Sequence, residues 1–190
     1  MRAFLVAILL GTSALSHAAD LSKPLILVAK PELRDNVYGA SILVVTPLGN
    51  DAHVGFIVNR PTEVSLGQLF PGHDQSQKIA DPVYAGGPQG SEAIFALVQR
   101  PDTPGGKSLQ IFPGLFAVID EATVDRIVET EPHRARFVAG LVAWRPGELA
   151  SEIEQGAWYV LEPDAGLAMR KPEGLWEELV HRSRGARLAI

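Results

Sequence analysis

The sequence predicts a single domain of strands and helices organised around an antiparallel hairpin, and three observations predict it. The chain has 190 residues, 46% of them hydrophobic and 21% charged, which suits one sizeable core in an ordinary globular protein. Short apolar runs rich in β-branched residues recur between Pro, Gly, Asn and Asp, the punctuation of strands and turns. Elsewhere the apolar residues return at helical spacing.

The stretch His53 to Pro61, HVGFIVNRP, stands at the centre of this arrangement. Val54 to Val58 has the composition of a buried strand and stops abruptly at Asn59-Arg60-Pro61. Ahead of it, Leu25 to Ala29 reads as a first buried strand stopped by Pro31. Leu33 to Tyr38 follows as a turn or short helical segment, and Ser41 to Thr46 as a second strand ended by Pro47. Gly49-Asn50-Asp51 is a turn signal, so the second strand and the focal strand pair as an antiparallel hairpin.

After Pro61, Ser65 can cap a short helix that Pro71-Gly72 terminates, and Gly72 to Asp81 reads as a polar surface loop. Pro82 to Ala85 is a short strand running into Gly86-Gly87-Pro88, followed by a strand from Ala93 to Gln99 and a loop from Arg100 to Lys107. Phe112 to Ile119 is strand-like from Leu115 onward. Asp120 then caps a helix from Glu121 to Thr130, with Val124, Ile127 and Val128 on one face and Pro132 marking its end. Ala135 to Trp144 returns to strand character, and Arg145-Pro146-Gly147 turns into a helix carrying Leu149 and Ile153. Gly156 caps that helix, Ala157 to Leu161 is a last strand, and Leu175 to His181 forms a terminal helix. The remaining tail, with Arg182, Arg184 and Arg187, is expected to be disordered.

The first 19 residues have the features of a cleaved secretory signal: Arg2, an apolar run from Ala3 to Leu10, and small residues before a cleavage point after Ala18 or Ala19. The run is shorter than the roughly 20 apolar residues a membrane span needs, so a periplasmic protein without stable membrane insertion is expected after processing. The chain has no cysteine, which removes disulfides, thiol nucleophiles and thiolate metal sites. Its net charge of -5 provides no sequence-wide positive field for a phosphate backbone, so no nucleic-acid partner is expected.

A family resemblance is carried by Lys30-Pro31-x-Leu33-x-Asp35, Gly55-Phe56-Ile57-Val58-Asn59-Arg60-Pro61, Tyr84-Ala85-Gly86-Gly87-Pro88 and Trp144-Arg145-Pro146-Gly147-Glu148-Leu149, with Glu152 and Trp158. In this order they resemble the AlgH/YqgE family of bacterial proteins, over almost the whole mature chain from about Leu25 to about Leu161. The resemblance implies one α+β domain whose mixed, largely antiparallel sheet splits and curls into a partial barrel flanked by helices. Together with the N-terminal features, the chain is expected to divide into a signal at 1–19, the AlgH/YqgE-like domain at 20–165, and a C-terminal helix with a basic tail at 166–190. A role in transcriptional regulation has been suggested for the family, which has no established biochemical activity. An export signal would put this chain on the wrong side of the membrane for that role.

The candidate ligand-binding residues are Asn59, Arg60, Gly86, Gly87 and Trp144. At a strand end, a guanidinium fork beside an amide suits a carboxylate or phosphate, and the glycines allow backbone N–H groups close to an anion. The bland alternative is that Asn59 satisfies a turn while Arg60 salt-bridges a nearby acid, and that the glycines form a structural turn. His53 near Asp51, or Ser91, offers a hydrolase alternative, against which His53 reads as an exposed hairpin residue and Ser91 lacks a nucleophile-elbow sequence. Glu148 and Glu152, one helical turn apart, read as a solvated face, and the tryptophans as packing residues. No metal site and no cofactor are expected. The expected function is a non-catalytic binding or regulatory module for a small anionic ligand or a protein segment.

Overall fold

The computed structural model describes residues 19–188, so nearly all of the expected signal segment lies outside the described residues. Strand β1, Leu25–Ala29, and strand β2, Ile42–Gly49, are joined by a loop that carries Tyr38. Strand β3, Ala52–Ile57, completes the hairpin with β2, with Val44 opposite Phe56 and Val45 opposite Gly55. Asn50 and Asp51 both have positive φ at its turn, as the tight reversal requires.

Strand β4, Pro61–Ser65, leads into the one-turn helix α1, Leu66–Leu69. Ser65 Oγ accepts from the Gln68 N–H, and Gln68 Oε1 accepts from the Ser65 N–H at 2.8 Å, a reciprocal cap. Strands β5, Pro82–Ala85, β6, Gln89–Gln99, β7, Ser108–Phe112, and β8, Leu115–Val118, follow. Helix α2, Glu121–Thr130, is capped by Asp120; strand β9, Ala135–Trp144, then leads to helix α3, Glu148–Glu154. Strand β10, Trp158–Leu161, and helix α4, Leu175–Leu188, complete the chain.

The strand order is β10-β1-β2-β3-β9-β6-β8-β7, with β5 pairing β9 in parallel and β4 pairing β5. Strand β9 causes the split. One of its edges pairs with β6; the other pairs with β3 at Val142 to Trp144 and with β5 at Val138 and Ala139. At the fork, Ile57 N–H donates to Gly86 O at 2.8 Å and Gly86 N–H to Ala139 O at 2.7 Å. A Cβ on Gly86 would sit 2.4 Å from Gly140 O, and one on Gly87 2.1 Å from Leu141 O. Only glycine lets these two backbones meet, and the curl of the sheet depends on their contact.

Three apolar clusters follow from this division. Ile26, Val44, Phe56, Phe95, Leu115 and Val138 meet inside the curled sheet, where Leu175 and Leu179 of α4 close the core. Trp144, Leu149 and Trp158 pack α3 on the β1–β2–β3 face, and Val124, Ile127 and Val128 pack α2 on β6 and β8. Helix α4 thus belongs to the same core as the sheet, and Trp176 Nε1 donates to Ala29 O at 2.8 Å.

The structure adds two strands to those expected and extends a third. β4 has one ladder partner and an exposed Glu63 and Val64, so nothing in its own sequence marks it as a strand. β7 pairs with β8 across Pro113-Gly114, a two-residue turn with Gly114 at φ +84°. β6 begins at Gln89, ahead of the expected Ala93, and its register against β9 shifts between Gln89 and Ile94, where Gly90 has φ +61°. The expected disordered tail is instead helical to Leu188, and Arg184 Nε donates to the Tyr159 hydroxyl at 3.3 Å.

Candidate functional site

Trp144 ends β9 opposite His53, and the Gly147 turn, at φ +82°, sends the chain straight into α3. The Arg145 N–H donates to Glu148 Oε2 at 2.7 Å, which secures the start of that helix. One turn further on, Glu152 Oε2 accepts from Trp144 Nε1 at 3.1 Å and from Trp158 Nε1 at 2.8 Å. Both indoles are buried, so their N–H groups need an acceptor, and one carboxylate oxygen serves both. The expectation of a wholly solvated Glu148–Glu152 face is corrected here: Glu148 is exposed, but Glu152 is half-buried and structurally engaged.

Beside this carboxylate lies an open cavity of about 420 Å³ walled by Tyr38, Gln89, Trp144, Glu148, Ser151 and Glu152. The Tyr38 ring meets Trp158 edge-on, with centroids 6.1 Å apart and planes at 76°. Burial, and then the negative charges of Glu152 and Asp35, push the Tyr38 hydroxyl above its ordinary pKa. No Lys or Arg lines the cavity, and among the described residues neither Glu148 nor Glu152 joins a salt bridge. The cavity therefore combines aromatic walls with uncompensated negative charge.

Asn59 and Arg60 stand elsewhere and do something else. Asn59 Oδ1 accepts from Ile42 N–H at 2.8 Å, and its Nδ2 donates to Ala40 O at 2.9 Å. Arg60 donates to Asn36 O at 3.2 Å, to Gly39 O at 2.9 Å, and to Val37 O. Both side chains are thus bound to backbone in the loop that carries Tyr38, and the guanidinium fork holds carbonyls instead of the acid weighed as its local partner. Gly86 spends its N–H within the sheet, and with Gly87 it serves the fork. Of the five expected ligand residues, Trp144 alone lines the cavity.

The hydrolase parts are not brought together. His53 is buried at 2% exposure, which corrects its expected exposed position. Its Nε2 lies 2.8 Å from Leu21 O and its Nδ1 3.2 Å from Asp51 O, so the Asp51 contact is to backbone and not to carboxylate. Ser91 lines a second, mostly apolar cavity of about 350 Å³ with Val64, Leu69, Phe70 and Ile94. Among the described residues no hydrogen bond joins Ser91 to a histidine or a carboxylate. Nor, among them, does any group of three or more His, Asp or Glu side chains form a cage for a metal ion.

A family model described as AlgH-like matches residues 26–187. The chain belongs to the AlgH-like family. Among its AlgH-like relatives, a UPF0301 protein of Thermobifida fusca is 33% identical over 174 residues, covering 84% of this chain and 86% of the relative. One from Streptomyces coelicolor is 29% identical and covers 91% and 92%. The solution structure of AlgH from Pseudomonas aeruginosa superposes with a TM-score of 0.70 at 20% identity, over 87% of this chain and 89% of that one. A crystal structure of a Corynebacterium diphtheriae protein does so with a TM-score of 0.67 at 20% identity, over 85% and 86%. The AlgH-like fold is therefore an α+β domain with a curled, largely antiparallel sheet, and these structures bear on the fold alone. No helix among the described residues is long and apolar enough to cross a membrane.

Tyr38, Gln89, Ser151 and Glu152 were not among the residues singled out as ligand-binding. They come from three separate elements, the β1–β2 loop, β6 and α3, and carry no shared motif. The one linear signal was the Glu148–Glu152 spacing next to Trp144, which is equally the pattern of a solvated helix.

Proposed function

We propose that this AlgH-like protein is a non-catalytic binding module whose site is the cavity between Tyr38, Trp144, Glu148 and Glu152, and that it takes a small cationic group, free or carried on a protein segment. The observation that carries this reading is the Glu152 carboxylate, oriented by two indole N–H groups and lacking a basic partner. Each carboxylate keeps a second oxygen without a protein hydrogen bond among the described residues. Aromatic rings beside carboxylates suit an ammonium or guanidinium group, through cation–π attraction and charge-assisted hydrogen bonds. The charge preference is thus the reverse of the one expected from Asn59 and Arg60, whose donors are occupied.

Calorimetric titration with agmatine, against glutarate as its anionic counterpart, tests the site. Agmatine is expected to bind and glutarate not to. Glu148→Gln, which keeps an oxygen for the Arg145 N–H, should weaken agmatine by about tenfold, the scale of one charge-assisted hydrogen bond. Glutarate binding without agmatine binding would overturn the cationic reading.

The same proposal takes the protein to be periplasmic, supported by the apolar run from Ala3 to Leu10 and the small residues up to Ala19. A mass measured on protein from its native host that begins at Ala19 or Asp20 agrees with export. A mass beginning at Met1 returns the protein to the cytoplasm and reopens the regulatory role suggested for the family.

A further inference from the structure

We propose that Arg60 is a positioning residue for the cavity: it sets the Tyr38 wall through the backbone of residues 36–39 without lining the cavity itself. This rests on the binding site proposed above and deepens it. The loop between β1 and β2 has no sheet ladder for its carbonyls, so they need partners from elsewhere. One guanidinium supplies Asn36 O, Val37 O and Gly39 O, which bracket Tyr38 on both sides.

The other contacts act on the same short stretch. Asp35 Oδ1 accepts from the Val37 and Tyr38 N–H groups, each at 2.7 Å. Asn59 Nδ2 holds Ala40 O at 2.9 Å, and Ala40 has φ +56°, a conformation that a residue with a Cβ adopts only when its surroundings impose it. Tyr38 is therefore fixed from its N-terminal side by Asp35 and Arg60 and from its C-terminal side by Arg60 and Asn59. Its ring carries that constraint to the cavity wall, and behind that wall it meets Trp158 edge-on. Since Asn59-Arg60 follows directly on the central β-hairpin and Val58 O is held by Arg136 Nη1 at 2.6 Å, the clamp is anchored to the rigid sheet. Lysine cannot replace it, because a single ammonium does not present the planar fork that reaches three carbonyls.

The test uses the full-length protein and its Arg60→Lys, Tyr38→Ala and doubly substituted variants, titrated with agmatine. Arg60→Lys and Tyr38→Ala should each weaken agmatine by roughly threefold to thirtyfold, the range of a lost cation–π contact. The double variant should be no weaker than Tyr38→Ala alone, since Arg60 acts through Tyr38. An unchanged affinity in Arg60→Lys, or the same further loss in the Tyr38→Ala background, overturns the proposal. In ligand-free protein, the Trp158 indole N–H resonance should shift in Arg60→Lys, and a resonance that stays in place overturns it as well. Because this readout needs no ligand, failure of agmatine to bind the unaltered protein counts against the binding site, while the resonance still decides the role of Arg60. Should Arg60→Lys not melt cooperatively, Asn59→Asp removes the donor to Ala40 O, keeps the acceptor for Ile42 N–H, and should give the same pattern.

Discussion

Trp158 Nε1 donates to Glu152 Oε2 at 2.8 Å, which ties the last strand of the sheet to the middle of helix α3. The same oxygen also takes the indole N–H of Trp144, so three elements meet on one atom. Removing it leaves two buried donors without an acceptor. Glu152→Ala should cost about 2 kcal/mol, because the adjoining cavity lets water replace part of the loss, and Glu152→Gln about 1 kcal/mol, since an amide oxygen still accepts. Urea unfolding followed by tryptophan fluorescence measures both; equal stability of all three proteins would show that the shared oxygen adds nothing.

The glycine pair at the fork of the sheet should tolerate no side chain. Gly87→Ala would press a Cβ to 2.1 Å from Leu141 O, and the obstacle is backbone, which cannot rotate away. A loss of at least about 3 kcal/mol is expected, at the upper end of overpacking costs. Gly72→Ala is the control, because a Cβ there meets nothing within 4 Å. Thermal melting should leave Gly72→Ala beside the unaltered protein and Gly87→Ala far below it.

The cap of α2 should make stability pH-dependent in a defined direction. The Lys107 N–H donates to Asp120 Oδ2 at 2.7 Å, and the Thr123 N–H and hydroxyl donate to Oδ1, so the carboxyl is held below its ordinary pKa. A carboxylate whose pKa is depressed on folding stabilises above its unfolded value of about 3.9, and that contribution fades as pH falls through the lower folded value. Asp120→Asn should therefore lower the urea midpoint at pH 7, and the gap should narrow as the pH falls below the unfolded value of about 3.9. A gap independent of pH would assign the loss to hydrogen-bond geometry instead of charge.

Much of the fold was legible because its signals are local. The turn at Asn50-Asp51, the Ser65 and Asp120 caps, the Val124–Ile127–Val128 face and the Gly156 stop all stand where the residues put them. Strand β4 was not legible, since its Pro61-Thr62-Glu63-Val64-Ser65 run has no apolar alternation and becomes a strand through pairing with β5. His53 could be read as exposed, because a lone histidine beside a turn carries no mark of the Leu21 carbonyl that covers it. Asn59 and Arg60 were recognisable as special, but not what they hold, because their partners lie 17 to 24 positions earlier in the chain.

The sequence alone determined the strands and helices of one domain built on a central hairpin, because hydrophobic period, turn chemistry and helix caps act over a few residues, and its motifs carried the resemblance to the AlgH-like family. The tertiary structure decided which residues wall the proposed site, and it leaves the Glu148 and Glu152 carboxylates without a basic partner among the described residues. Tyr38, Gln89, Trp144 and Glu152 become neighbours only when β9 splits the sheet and α3 folds back on it. Glu152 became a fixed part of that site, and not one more exposed acid, because two buried indole N–H groups found it as their shared acceptor.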